Sequence, residues 1–506
     1  MRKWARAMYQ PNLPLKETCR VTAGEEHIRL AEEAAKEGMV LLKNDRKLLP
    51  LSENARIALF GKGSIDYVKG GGGSGDVLAS PVYNLYDGIR LRERKVQIYE
   101  PLAEFYRENV AGQYQAGSVP GMTREPKLTE TLLHGARDFT DTAIIVISRF
   151  SGEGWDRSDD FYLSEEEKLM VHQVEALFDR IAVVLNIGGV IDTSWIKEST
   201  AIASALVAWQ GGMTGGLAIS EVLFGRTNPS GRLADTFAAS LEDYPSTDTF
   251  HESVDYVDYT EDIYVGYRYF ETIPDAASRV VYPFGHGLSY TQFSLKILDM
   301  KQEDDEIKSL LMVTNTGEVS GKDVIQVYYS APQGQLKEPA RELAAFAKTG
   351  LLQPGESEQI SLSFSLADMA SYDDLGKIAK SAWVLEAGIY QFYIGASVRE
   401  NQKAAFELEI QKDTVVEQLS AKMVPTDLKK RLLSDGTFEA LPLGETNDMN
   451  ACIFEKMTPG TEEGIVPEVR AYPRRQLAHP YKESAKMLEQ VANGEIDMNA
   501  FLEQLS

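Results

Sequence analysis

Cysteine is nearly absent from this chain of 506 residues: two occur, Cys19 and Cys452, far apart in sequence. They could pair, but they make no disulfide framework of the kind that holds small secreted domains together. Histidine is scarce too. His27, His134, His172, His251, His286 and His479 are scattered without the spacing of a metal-ligand set, so neither a metal site nor any other cofactor is expected. Basic charge is outnumbered, 52 lysines and arginines against 76 acids, for a net charge of -24. Such a surface repels phosphate backbones and anionic lipid, which argues against nucleic-acid and membrane partners. No apolar run approaches the length that spans a bilayer. The opening MRKWARAMYQPNLP has basic residues but no apolar core of a secretory signal. The expectation is a soluble, cytoplasmic protein, compatible with a homo-oligomer.

What is present is ordinary for a folded chain, 43% apolar and 25% charged. The length calls for more than one core. One stretch stands out, TAIIVISRFSGEGWDRSDDFYLS at 142–164. Its first half is an apolar, β-branched run of the kind that fills a parallel sheet buried on both faces. Glycine, a glutamate and glycine follow at 152–154, and then Trp155, Asp156 and Arg157. Ser164 with Glu167 three residues on reads as a capping box that opens a helix. A buried strand therefore delivers the glycine-flanked Glu153 to a loop at its carboxyl end, where open α/β sheets bind ligands.

Along the chain, residues 1–24 read as an irregular arm. Helical spacing from Glu25 is expected to run to about Asn44, and ARIALFG at 55–61 reads as a buried strand. Further strand candidates at 96–99, 142–148, 181–187 and 202–209 alternate with helical patterns at 81–91, 164–178 and 215–224. Residues 25–288 are thus predicted to form an α/β domain, a mostly parallel sheet with helices on both faces. After YPFGHGLSYTQF the period switches from helix to strand, and residues 289–412 read as an all-β sandwich. Residues 413–506 show no strong strand signal. They read as a connector tail with exposed helices near 482–491 and 498–505.

Two loops are candidates for chemistry. KGGGGSGDV at 69–77 is not a Walker loop, because Lys69 precedes its glycines, and the dinucleotide fingerprint lacks its third glycine. Four glycines still let backbone approach a ligand closely, with Ser74, Gly75 and Asp76 at that point, although a plain surface loop fits the residues as well. Glu153 is one acid among many and solvated surface is the default for any of them. Its place at a strand end, its flanking glycines and the apolar ring of Trp155 favour a general acid. Arg157 can meet either Glu153 or Asp156. The aromatic run DIYVGYRYF at 262–270 reads as a seam between domains more readily than as a sugar platform.

KGGGGSGDV, ISRFSGEGWDR, NPSGR at 228–232, EDIYVGYRYF and YPFGHGLSYTQF, in that order, resemble the β-glucosidases of glycoside hydrolase family 3 over about 25–412. The resemblance implies the family's α/β sandwich domain at 25–288 and its fibronectin type III-like domain at 289–412. It also implies that Glu153 is the general acid/base and that Ser74 reaches the bound sugar. Gly75 and Trp155 would border the pocket, and Asp156 and Arg157 would support the loop. Trp155 stands where tyrosine is common in the family.

Family members also carry a (β/α)₈ barrel that supplies an aspartate nucleophile; in circularly permuted members it follows the fibronectin-like domain. No stretch of this sequence reads as that barrel, which needs about 250 residues. The expectation is the acid/base portion of a retaining β-glycosidase, inactive alone, acting on a β-linked glycoside or oligosaccharide once a barrel domain or chain brings the nucleophile. The alternative is a non-catalytic carbohydrate-binding or scaffolding protein on the same fold. A nucleotide-dependent α/β enzyme is a third reading with little in its favour.

Overall fold

The computed structural model describes residues 24–73, 76–77, 79–153, 156, 158–420 and 427–442, with backbone alone at 15–16 and 19–20. The chain divides into two compact units, Met1–Glu25 with Thr446–Ser506, and Glu26–Glu445. In the first, Leu15–Lys16 pairs antiparallel with Cys19–Arg20. The helices expected near 482–491 and 498–505, and Cys452, lie outside the described residues.

Helix α1 (Glu25–Gly38) belongs to the second unit from Glu26 on. The sequence pattern carried this helix on to Asn44, but it stops at Gly38 and Val40–Asn44 becomes strand β1. Val40, Leu41 and Leu42 are buried, and their backbone groups pair antiparallel with a later strand. That partner lies more than 160 residues downstream, so local periodicity could not report it.

Five parallel strands complete this sheet: β2 (Arg56–Phe60), β3 (Gln97–Ile98), β4 (Thr142–Ser148), β5 (Arg180–Asn186) and β6 (Ile202–Val207). Their order is β1-β6-β5-β4-β2-β3, with β1 as the antiparallel edge. β4 lies inside, and all seven of its residues are buried. Alternation splits them between two cores. Ala143, Ile145 and Ile147 join a core capped by α3 (Glu100–Gln115), α4 (Glu130–Phe139) and α5 (Glu165–Leu177). Ile144 and Val146 face the opposite core, under α2 (Leu85–Arg92) and α6 (Gly215–Leu223). Helices α3 and α4 were not marked by periodicity; proline in the first turn of α3 and the Thr129 cap of α4 begin them.

The second domain is a β-sandwich. One sheet is β7 (Phe293–Glu303), β8 (Glu306–Asn315) and β11 (Ser357–Ser365). The other runs in the order β10-β9-β14-β15, from β9 (Val324–Ser330), β10 (Glu342–Lys348), β14 (Gly388–Gly395) and β15 (Asn401–Ile410). Leu311 and Val313 from the first sheet meet Val327 and Phe392 from the second in one core. The aromatic run at 262–270 forms the seam between the α/β domain and the sandwich: the Tyr267 ring lies tilted 4.6 Å from Phe284, and its hydroxyl accepts from the Leu343 amide at 2.9 Å.

Strands also occur where the sequence carried no strand signal. β16 (Thr414–Gln418) pairs with β13 (Ala382–Leu385), and β13 also pairs with β12 (Ser371–Asp373). β17 (Lys430–Leu432) and β18 (Phe438–Ala440) form a hairpin. Every residue of β16 is exposed, so no inside-outside alternation marks it. Arg431 bonds Glu439 across the hairpin at 2.7 Å and ties the hairpin to Asp374 at 2.9 Å.

Candidate active site

Strand β4 ends at Ser148, and the Arg149 amide adds one more ladder bond, donating to the Asn186 carbonyl at 3.0 Å. Arg149 then turns inward. Its guanidinium donates to both carboxylate oxygens of Glu167, at 2.7 and 2.8 Å, and to the carbonyls of Asp160 and Tyr162. Glu167 is also the third residue of α5, and it closes the expected capping box with Ser164. One buried ion pair therefore ties the end of the strand to the start of the helix, and residues 150–163 leave and return through that tie.

The tetraglycine loop comes from the neighbouring strand β2. Asn186, at the end of β5, grips the Val68 backbone from both sides at 2.7 and 2.9 Å, which fixes where the loop begins. Lys69 pairs with Asp76 across the loop. The two loops then meet. The Gly72 amide donates to the Ser151 carbonyl at 2.6 Å. Gly73 has φ +84°, and a Cβ built there would lie 2.7 Å from Cδ of Glu153. Glycine leaves room for the carboxyl where it stands, and a side chain here would push it aside. Glu153 is exposed, at the carboxyl end of the buried strand, against the glycine backbone.

Of the other residues singled out from sequence, Asp156 is exposed and lies 3.3 Å from His251. Ser74, Gly75, Trp155 and Arg157 lie outside the described residues. So does the choice between Glu153 and Asp156 as the partner of Arg157.

Sequence reasoning missed the buried polar support. Asp66 accepts from the Gly121 amide and the Tyr114 hydroxyl, each at 2.5 Å, and from Thr123 Oγ1 at 2.5 Å. Lys62 lies 3.4 Å from it and donates to the Gly121 carbonyl at 3.0 Å. Burial works against the charge on Asp66, but Lys62 and these donors outweigh it and hold the carboxyl below its usual value. Burial also pulls the Lys62 ammonium down, against the attraction of Asp66. Glu125 accepts from the Lys62 amide at 2.7 Å and bonds the Tyr106 hydroxyl at 2.8 Å; burial pushes it up to about 7. Lys62, Glu125, Arg149, Phe150 and Asp156 border a cavity of about 730 Å³ beside the Glu153 loop. The one available signal was position: Lys62 and Asp66 follow directly on an apolar strand, where a charge needs a partner.

Among the described residues no group of histidine, cysteine and carboxylate side chains could hold a metal ion. No helix among them is long and apolar enough to cross a membrane. Chemically, the arrangement presents the solvent-accessible Glu153 carboxyl on a tethered loop, against a glycine backbone that a ligand can approach closely.

Residues 39–290 match the Glycosyl hydrolase family 3 C-terminal domain, and residues 323–398 match the Fibronectin type III-like domain. Beta-glucosidase A of Butyrivibrio fibrisolvens is 50% identical over 555 aligned positions, covering 100% of this chain and 67% of that protein. A beta-glucosidase of Ruminococcus albus is 38% identical, over 84% of this chain and 45% of its own length. The solved structure of a beta-glucosidase from Paenibacillus barengoltzii superposes with a TM-score of 0.81 at 37% identity, over 96% of this chain and 54% of that one. Beta-glucosidase 3B of Thermotoga neapolitana gives 0.69 at 38% identity, over 77% and 55%. The chain thus spans two thirds of the Butyrivibrio protein and about half of the other three. The ordered loops, the α/β sheet with its sandwich and these matches agree: the chain belongs to glycosyl hydrolase family 3.

Proposed function

We propose that this chain carries the general acid/base of a retaining β-glucosidase, with Glu153 protonating the departing aglycone and then activating water. The observation that carries the reading is the Glu153 carboxyl, exposed at the end of a buried strand and seated against Gly73. A carboxyl so placed can reach a leaving oxygen while the glycine backbone borders the sugar. The names of the matched relatives agree with a β-linked glucoside as substrate. Ser74, Gly75 and Trp155 border the pocket in this reading, and Asp156 and Arg157 support the loop.

Retention needs a second carboxyl about 5–5.5 Å from the first, to attack the anomeric carbon. In this reading a (β/α)₈ barrel brings it, and among the described residues no sheet closes into a barrel. The nucleophile then comes from polypeptide outside these residues, a further segment or a separate chain, and residues 1–506 alone hydrolyse negligibly. The test is to supply a nucleophile-bearing barrel polypeptide and assay aryl β-glucosides. Activity that appears, and falls with Glu153→Gln on a substrate with a poor leaving group, is the expected result. Activity indifferent to Glu153→Gln on that substrate sinks the assignment.

A further inference from the structure

Phe150 stands between three loops. A Cβ built on Gly72 would lie 2.7 Å from Cζ of the Phe150 ring and 3.1 Å from Cε1. On its other side a Cβ on Gly121 would lie 3.3 Å from Cδ2 and 3.4 Å from the Phe150 Cβ. The ring thus lies against Gly72, where an added Cβ would clash with it, and next to Gly121, where an added Cβ would touch it and would clash with Val68 Cγ2 at 2.8 Å. Gly121 cannot yield easily. Its amide donates to Asp66 and its carbonyl accepts from Lys62, both buried, and its φ of +86° suits glycine alone. Gly72 is held from the far side by its hydrogen bond to the Ser151 carbonyl, one residue beyond the ring. The next residue, Gly73, meets the Glu153 carboxyl.

We infer that Phe150 is a positioning residue: its ring, braced on the Asp66–Lys62–Gly121 support, sets how deep the tetraglycine loop sits and so where Gly73 places the Glu153 carboxyl. The inference rests on Glu153 as the acid/base. The contacts are directional, and this separates a spacer from general filling of space. Cζ is the ring atom that faces Gly72, so a hydroxyl added there drives into the loop. Phe150→Tyr, a change of one added hydroxyl that an ordinary half-buried site accommodates, is expected to disturb the loop.

Hydrogen exchange on the full chain reads the loop without any assumption about catalysis. Phe150→Ala and Phe150→Tyr should each speed exchange at the Gly72 amide by about tenfold or more, with the amides of β4 unchanged. Unchanged exchange at Gly72 in both variants, even with a lowered melting temperature, overturns the inference. The second arm uses the chain with its nucleophile supplied. Phe150→Ala should lower kcat/KM about tenfold or more on a substrate with a poor leaving group, with little change in kcat/KM for an activated aryl glucoside, whose departure needs little acid assistance. If Glu153→Gln shows that leaving-group dependence and Phe150→Ala does not, the positioning role is wrong and the acid/base stands. If Glu153→Gln shows none, the acid/base reading fails and takes the positioning role with it.

Discussion

Arg149 and Glu167 form a bidentate ion pair, both buried, that fastens the first residue after strand β4 to the first turn of helix α5. The carboxylate has a second duty, since it also accepts from the Ser164 amide in the capping box at 2.9 Å. The loop carrying Glu153 is therefore an excursion whose two ends are joined by this pair.

Removing one partner of that pair strands the other charge inside. Arg149→Met is expected to destabilise the fold by about 3–5 kcal/mol, the range for a buried pair broken on one side. Denaturant titration measures it. A loss under about 1 kcal/mol, the level of an exposed pair, contradicts the role assigned to Arg149.

With the nucleophile supplied, Glu153→Gln should lower kcat/KM, which reports departure of the aglycone, by about 10²–10⁴ on a substrate with a poor leaving group and far less on an activated aryl glucoside. The contrast between substrates is the readout, because a good leaving group departs without a proton. Equal losses on both point to a role in binding or folding instead.

Gly73→Ala tests the seat of the carboxyl. The new Cβ meets Glu153 Cδ at 2.7 Å, in a backbone conformation with positive φ that costs an L-residue about 1–2 kcal/mol. A displaced carboxyl of this kind is expected to lose about a hundredfold in turnover, with a small fall in melting temperature. Full activity in Gly73→Ala shows that the loop does not set the carboxyl's place.

Glu125 gives a pH test. Burial raises its folded value to about 7, above an ordinary value of 4.5, so the fold binds this proton more tightly than the unfolded chain does. Its burial therefore costs nothing below the ordinary value and most above about 7, and its contribution to stability falls as pH rises between the two. Glu125→Gln keeps the shape and cannot ionise. The difference in melting temperature, variant minus wild type, should rise between about pH 5 and pH 8. A difference that is flat across that range, or falls, refutes the shift.

Local pattern was a sound guide wherever a contact is short in sequence or an element is buried on both faces. The strand at 142–148, the Ser164–Glu167 cap and the sandwich alternation at 357–365 are of that kind, as is the exposed Glu153 at a strand end. It failed at β1, where apolar residues after Gly38 suit helix or strand equally and the choice rests on pairing with β6. It failed at β16 for the opposite reason, since a strand exposed along its whole length has no apolar side to betray it.

Amino-acid order alone settled the kind of molecule: an α/β domain followed by a β-sandwich, an excess of acidic residues, and a carboxyl between glycines after a buried strand. Periodicity and glycine spacing are properties of neighbours, and neighbours are what a sequence records. Three-dimensional packing alone decided that Glu167 belongs to Arg149, that Asp66 and Lys62 hold Gly121, and that Phe150 fills the space between two glycines. Those partners are 18 to 78 residues apart, and long-range pairing of buried charge and shape is set only once the chain has closed on itself.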